Sequence, residues 1–304
     1  MKNIPLIFAS VIACMTFASC SQEEQDMRPQ VVNAPQQQHT TVEELTAQLK
    51  TYNSQFELRQ DVVMREASSG KVRLRLGDKI KIALADAAGG CVGALFGGPY
   101  GAVVTGATAS YFKRLWIMEK RGLKIKNVMD KYAEAFIGNG VFDNFSDSVG
   151  CYHNIVENQM HTYYDNKYKP SEREMLSHAN AFMRNTSDGY KANIIITDNL
   201  LSQICSSLTP ITKLSDSDDV TFSEYTRRMK IVAPRHSASI EYFANYLYTL
   251  AYANIEDPEQ YTLDVINQVK SSNASDADKE QLISGLQMAH ASLLYSTSIN
   301  YSSK

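Results

Sequence analysis

His153, Glu157 and His161 are the residues whose types and spacing come nearest to a chemical site. They occupy positions i, i+4 and i+8 of one predicted helix, and neighbours at i, i+4 can share a metal ion. From i to i+8 is two turns, about 12 Å, so a single ion cannot take all three. A metal would use His153 with Glu157, or Glu157 with His161, plus ligands from elsewhere in the chain. His153 also borders the apolar stripe of Val149, Val156 and Met160. That setting favours a core histidine with a ring nitrogen bonded to nearby backbone. No metal, cofactor or catalytic residue is therefore assigned.

Nucleophiles give little more. Cys151 and His153 are two residues apart and point about 200° from one another on a helix, so they cannot face each other. Cys205 with His178 or His236 is the remaining pairing for a cysteine hydrolase, which would need an electropositive setting around the thiol. Patterns of the GxSxG, Walker, Rossmann, HExxH and CxxC kinds are absent. Tyr242, Tyr246, Tyr248 and Tyr252 lie close together. They suit sugar stacking or protein contact, although their spacing is that of ordinary helix packing.

Nearly all the elements that would carry these residues read as helices. Thr41-Val42-Glu43-Glu44 is a capping box, followed by Leu45, Leu49, Tyr52 and Phe56 at helical spacing. Ser171-Glu172-Arg173-Glu174, after Pro170, is a second capping box. Helical periodicity marks 111–137, 147–165, 188–208 (stopping before Pro210), 222–232, 237–253, 259–270 and 277–296, the last with Ser275 as its N-cap. Residues 71–84 read equally as a short strand, from the alternation of Val72, Leu74 and Leu76 with Arg73 and Arg75, or as the lead-in to a helix. The expected fold is mainly all-α, an irregular helical bundle over 41–304 with room for one short strand.

The chain carries 30 Lys+Arg and 33 Asp+Glu, and 44% of its residues are hydrophobic. Such a composition supports a real core. A near-neutral chain without a basic block argues against nucleic acid as a partner.

The first residues read MKNIPLIFASVIACMTFASCSQEEQ. Lys2, an apolar run from Ile4 to Phe17 and Phe17-Ala18-Ser19-Cys20 resemble a bacterial lipoprotein signal peptide, with Phe17 where the lipobox usually has Leu. The resemblance implies a signal peptide over 1–19, lipidation of Cys20 and a lipid-anchored place in the cell envelope, at the outer membrane or cell surface rather than the inner membrane. Removing 1–19 takes away one basic residue, Lys2, and no acid, leaving 29 Lys+Arg against 33 Asp+Glu, a charge of −4. Residues 20–40, rich in Gln, read as a flexible tether. With the Cys20 sulfur acylated, three cysteines remain, so no disulfide framework is expected. Cys151 and Cys205 read as buried free thiols, with one bridge between them as the alternative.

Within 85–112, Gly89, Gly93, Gly97 and Gly101 fall at strict i, i+4 spacing, beside Gly90, Ala94, Gly98, Ala102 and Gly106. Such a face lets another helix backbone approach closely. Each glycine costs a helix roughly 1 kcal/mol relative to alanine, so close packing or a membrane must compensate. No charge occurs between Asp86 and Lys113, and Trp116 with Lys113 and Arg114 suits a membrane boundary. Pro99, at the centre, breaks or kinks the run, which reads as a membrane-inserting or membrane-apposed helix, as a tightly packed helix pair or hairpin within a soluble fold, or as a mobile segment.

Ala85, Gly89, Gly93, Gly97 and Gly101 resemble the glycine zippers of double-glycine-leader bacteriocins, which implies a membrane-active helix. Asp86, Pro99 and the large domain downstream depart from that pattern. Gly150-Cys151-Tyr152-His153-Asn154 resembles a short Gly-x-x-His-Asn element of uncharacterised Bacteroidota lipoproteins and implies no activity. The expected function is binding or packing against membrane or protein partners, by way of the lipid anchor and residues 87–112, leaning away from an enzyme. A membrane-active toxin and a cysteine hydrolase are the alternatives.

Overall fold

A computed structural model describes residues 39–59, 74–128, 149–164, 169–185, 197–214 and 220–303. The expected signal peptide over 1–19, the expected lipidation site Cys20, almost all of the expected tether over 20–40 and the apolar run 194–196 lie outside the described residues. Among the described residues the fold is mainly α-helical. The helices are α1 (Val42–Asn53), α2 (Leu76–Lys120), α3 (Val149–Tyr164), α4 (Glu172–Arg184), α5 (Asp198–Thr212), α6 (Phe222–Val232), α7 (Ser237–Tyr252), α8 (Pro258–Ser271) and α9 (Asp276–Ser298). Two strands, β1 (Leu123–Val128) and β2 (Ile299–Ser303), pair antiparallel, with Ile125 opposite Tyr301.

The helix starts follow the local chemistry. Thr41 accepts from the Glu44 amide while the Glu44 carboxylate accepts from the Thr41 amide, and Ser171 and Glu174 repeat the pattern. Ser275 caps α9 by accepting from Asp278 N–H. Residues 76–84 take the helical reading, because the Asp78 carboxylate caps the Arg75 amide at 3.1 Å. Helix α5 runs through Pro210 to Thr212 instead of ending before it, and the hydroxyls of Thr209 and Thr212 donate to Glu172 there.

The expected helix over 111–137 ends at Lys120. Gly122 takes φ +61°, and Leu123-Lys124-Ile125-Lys126 then alternates as a strand, a period-2 signal inside what reads as a helix.

The α2 segment is two helices joined by a reversal. Gly97 (φ −160°, ψ 24°) and Gly98 (φ +55°, ψ −147°) are non-helical, and Pro99 starts the second arm. The Gly98 conformation is essentially open to glycine alone. The arms, 76–96 and 99–120, fold back on each other. A Cβ on Gly93 would collide with the Gly101 carbonyl oxygen and the Thr105 hydroxyl. One on Gly89 would lie 2.7 Å from Ala109 Cβ, and one on Gly101 would strike the Gly93 carbonyl.

The glycines at 89, 93 and 101 therefore face the opposite arm, whereas Gly97 belongs to the turn and not to the face. Trp116 sits half-buried, with the Lys113 and Lys120 ammonium groups 4.9 and 5.2 Å from its ring centroid. By length and composition α2 could cross a membrane, yet most of its most apolar stretch is buried inside the fold.

Helix α9 packs along the hairpin more extensively than any other element. It is buried nearly all round and carries small residues, Ser284, Gly285, Ala289, Ala291 and Ser292, at its contacts. Met288 lies where Cβ atoms on Gly90 and Gly106 would project. Helices α3, α4, α5 and α7 cover the rest of the hairpin, α1 packs on α7, and α8 lies on α9. A smaller cluster of Leu74, Ile82, Ile117, Met118, Leu123, Tyr295, Ile299 and Tyr301 fills the space by the strands.

Tyr242 and Tyr246 are core residues, and Tyr246 stacks on Tyr261 at 5.6 Å. Buried His290 places Nδ1 2.9 Å from the Thr262 hydroxyl and 3.5 Å from Tyr246 Oη.

Replacing Gly93 by alanine should destabilise the full chain by about 1–3 kcal/mol through overpacking. Gly77, near the start of α2, has open space where its Cβ would project, so Gly77→Ala should gain up to about 1 kcal/mol. Urea denaturation of both variants checks the pair. Equal effects would show that the arms can separate at no cost.

Burial holds the His290 pKa at about 4, below its ordinary 6.5. The unfolded chain then binds the proton more readily than the folded one. This contribution is complete above pH 6.5 and is lost as pH falls towards 4, amounting to roughly 3 kcal/mol. In His290→Gln, urea midpoints measured from pH 7 to 4 should fall less steeply than in the wild type.

Candidate functional site

The two arms of α2, helix α3 and helix α9 enclose a fully buried polar centre. Asp86 comes from the first arm, Ser110 and Arg114 from the second, His153, Asn154, Glu157 and His161 from α3, and Ser292, Tyr295 and Ser296 from α9. Tyr301 joins from β2. Asp86, Arg114, His153 and Glu157 are wholly excluded from solvent. The hairpin turn is what brings Asp86 and Arg114, 28 positions apart, to one place.

The Gly-x-x-His-Asn element has a physical meaning here. A Cβ on Gly150 would lie 2.7 Å from the Gln287 carbonyl and 3.0 Å from Ala291 Cβ, so only glycine lets α3 rest on α9 at that point. One turn on, Asn154 Nδ2 donates to the Ala291 carbonyl at 3.1 Å. With its amide so oriented, Asn154 presents Oδ1 to His153 Nδ1 at 3.1 Å. His153 Nδ1 therefore carries the hydrogen, and Nε2 is left as an acceptor.

Arg114 organises the charge. Its Nε donates to Glu157 Oε1 at 2.7 Å, and Nη1 and Nη2 donate to Ser296 Oγ at 3.1 Å. Nη1 also donates to Tyr301 Oη at 3.1 Å, and the guanidinium carbon lies 5.2 Å from the Tyr295 ring centroid. His161 Nε2 approaches Glu157 Oε1 to 3.5 Å, while its ring packs 4.8 Å from Tyr111. Burial alone would raise the Glu157 carboxyl, but Arg114 and the two imidazoles overcome it and hold the group below the usual carboxylate range. Burial lowers both His153 and His161, keeping them neutral.

Asp86 has no such partner. Its Oδ2 faces His153 Nε2 at 3.7 Å, too long for a hydrogen bond. Ser110 and Ser292 flank the carboxylate and pull its pKa down. Neither hydroxyl completes a well-aligned hydrogen bond with it among the described residues. Burial and the nearby Glu157 charge outweigh them and push Asp86 well above the ordinary range.

Asp86, His153 and Glu157 each offer a ligand atom, all within 4.8 Å of one another. The pairing of His153 with Glu157 is one that their spacing allows, and Asp86 is the ligand from elsewhere that spacing could not identify. A lone acid ending an uncharged run was the only signal for it.

The other sequence candidates lie apart from this centre. Cys91 and Cys151 are buried and Cys205 is half-buried, none of them in a disulfide, and burial raises the Cys205 pKa. A thiolate nucleophile needs the opposite shift. His178 on α4 packs against Tyr163 at 4.3 Å and Tyr164 at 5.5 Å. Together with Arg173, Glu174 and Ser177 these residues line an open cleft of about 780 Å³. Tyr248 and Tyr252 line another, of about 530 Å³, with Leu58, Arg59, Arg75 and Phe222. Compared with protein-family models, curated proteins and solved structures, the chain matches none of them.

Glu157→Gln removes the counter-charge of a guanidinium that no water reaches, and should cost about 3–5 kcal/mol. Guanidinium chloride titration of the full chain checks this. A loss below about 1 kcal/mol, the size of an exposed pair, would mean that Arg114 is not held as described.

Proposed function

We propose that this protein is a lipid-anchored component of the bacterial cell envelope whose helical domain acts by binding rather than by catalysis. The observation that carries this reading is the sequence Phe17-Ala18-Ser19-Cys20, followed at once by Ser21-Gln22-Glu23-Glu24. The described residues start at His39 and Thr40, directly after this polar stretch. Thr40 N–H donates to the Asn273 carbonyl at 3.1 Å, next to the capping box at Thr41, so the chain enters the domain beside the turn between α8 and α9.

The raised pKa of the Cys205 thiol favours binding over cysteine chemistry. The two open clefts offer surfaces for it, each combining exposed tyrosine with arginine, the residue types that anchor partners. Gly89, Gly93 and Gly101 are occupied in contacts between the hairpin arms, which ranks a membrane-inserting toxin second.

Metabolic labelling with a fatty-acid probe should mark the wild type and leave Cys20→Ser unlabelled, with the variant moving from the membrane to the soluble fraction. Equal labelling of both proteins would defeat the proposal.

A further inference from the structure

We propose that Asp86, His153 and Glu157 form a structural site for one divalent first-row transition cation, of the zinc or manganese kind. The geometry of facing acceptors carries this inference. Asn154 is fixed by Ala291 and in turn fixes the hydrogen of His153 on Nδ1, so Nε2 offers a lone pair towards Asp86 Oδ2 at 3.7 Å. A hydrogen bond from the far ring nitrogen to a fixed oxygen, as His153 Nδ1 makes to Asn154, is what orients a metal-bound imidazole. Ligand bonds of about 2.0–2.2 Å place neighbouring ligand atoms roughly 3–4 Å apart, so the separation suits a bridging ion better than a direct contact.

The remaining oxygens agree. Both Asp86 oxygens, Glu157 Oε2 and His153 Nε2 have no hydrogen-bond partner among the described residues, and all belong to fully buried side chains. Arg114 occupies Glu157 Oε1 and leaves Oε2 available to the ion. An imidazole with two carboxylates suits zinc, manganese or ferrous iron. Because the ligands are closed off from solvent, the ion is taken up as the chain folds.

The test is to refold the full chain from urea with Zn²⁺ or Mn²⁺ alone, after treatment with a chelator, and to measure metal per chain and melting temperature. The wild type should retain about one equivalent and melt higher than the metal-free protein. Asp86→Asn and His153→Gln should each lose the ion and the metal-dependent rise, while His178→Gln, outside the centre, keeps both. Asp86→Asn replaces an unpaired carboxylate by a neutral group of the same shape, so its metal-free form should fold and melt at or above the metal-free wild type. Retention of metal by Asp86→Asn and His153→Gln at the wild-type level would overturn the inference. So would a wild type that refolds with less than about one tenth of an equivalent of either ion.

Discussion

Backbone-to-backbone contact between the two arms of α2 is the constraint on which the rest of the structure depends. Gly93 and Gly101 meet so closely that neither can carry a methyl group, and Gly89 sits against Thr105 and Ala109. Few apolar side chains separate the arms, so their attraction comes from dense packing of many atoms at short range. The turn that allows this is narrow. Gly98 takes a backbone conformation open only to glycine, and Pro99 begins the second arm without a donor that would need a partner.

A hairpin this thin leaves shallow, smooth faces, and the neighbouring helices are built to fit them. Helix α9 brings small residues and one flexible side chain, Met288, which lies where Gly90 and Gly106 leave space. Helix α3 contributes Gly150 for its own close approach to α9. Close packing of three elements around a shared line also fixes what that line contains. Asp86, Arg114 and Glu157 stand within it because the helices are too near one another for their side chains to reach water.

Burying those charges is expensive, and the surroundings show how the cost is met. Arg114 is held by Glu157, Ser296 and Tyr301 and covered by Tyr295, so its charge is paired and each of its three nitrogens donates. The short sheet has a clear role here. Pairing β2 with β1 holds Tyr301 in place against the guanidinium, although the strands contribute little to the main core. Asp86 is left without a comparable partner, and this imbalance is what marks the centre as a site instead of a simple ion pair.

Much of the helical architecture was written locally. The capping boxes at Thr41 and Ser171, the N-cap at Ser275 and the 3.6-residue stripes of α1, α3 and α7 act through neighbours a few positions away, so they can be read before folding. The glycine spacing and Pro99 likewise announced either a packed hairpin or a membrane helix. Gly97 shows the limit of that reading, since it fits the spacing yet lies in the turn, where the run of φ/ψ angles rather than the period decides its place. The strand at Leu123–Val128 was masked by helical periodicity on both sides, and its partner lies about 170 residues away at the C-terminus, a distance over which pattern carries no information.

The same holds for the candidate centre. The sequence by itself determined that His153 and Glu157 share a helix face and that Asp86 closes an uncharged run. Only the tertiary structure decided that the hairpin returns Asp86 and Arg114 to that face, because the meeting of three helices depends on which backbones can approach without a side chain between them.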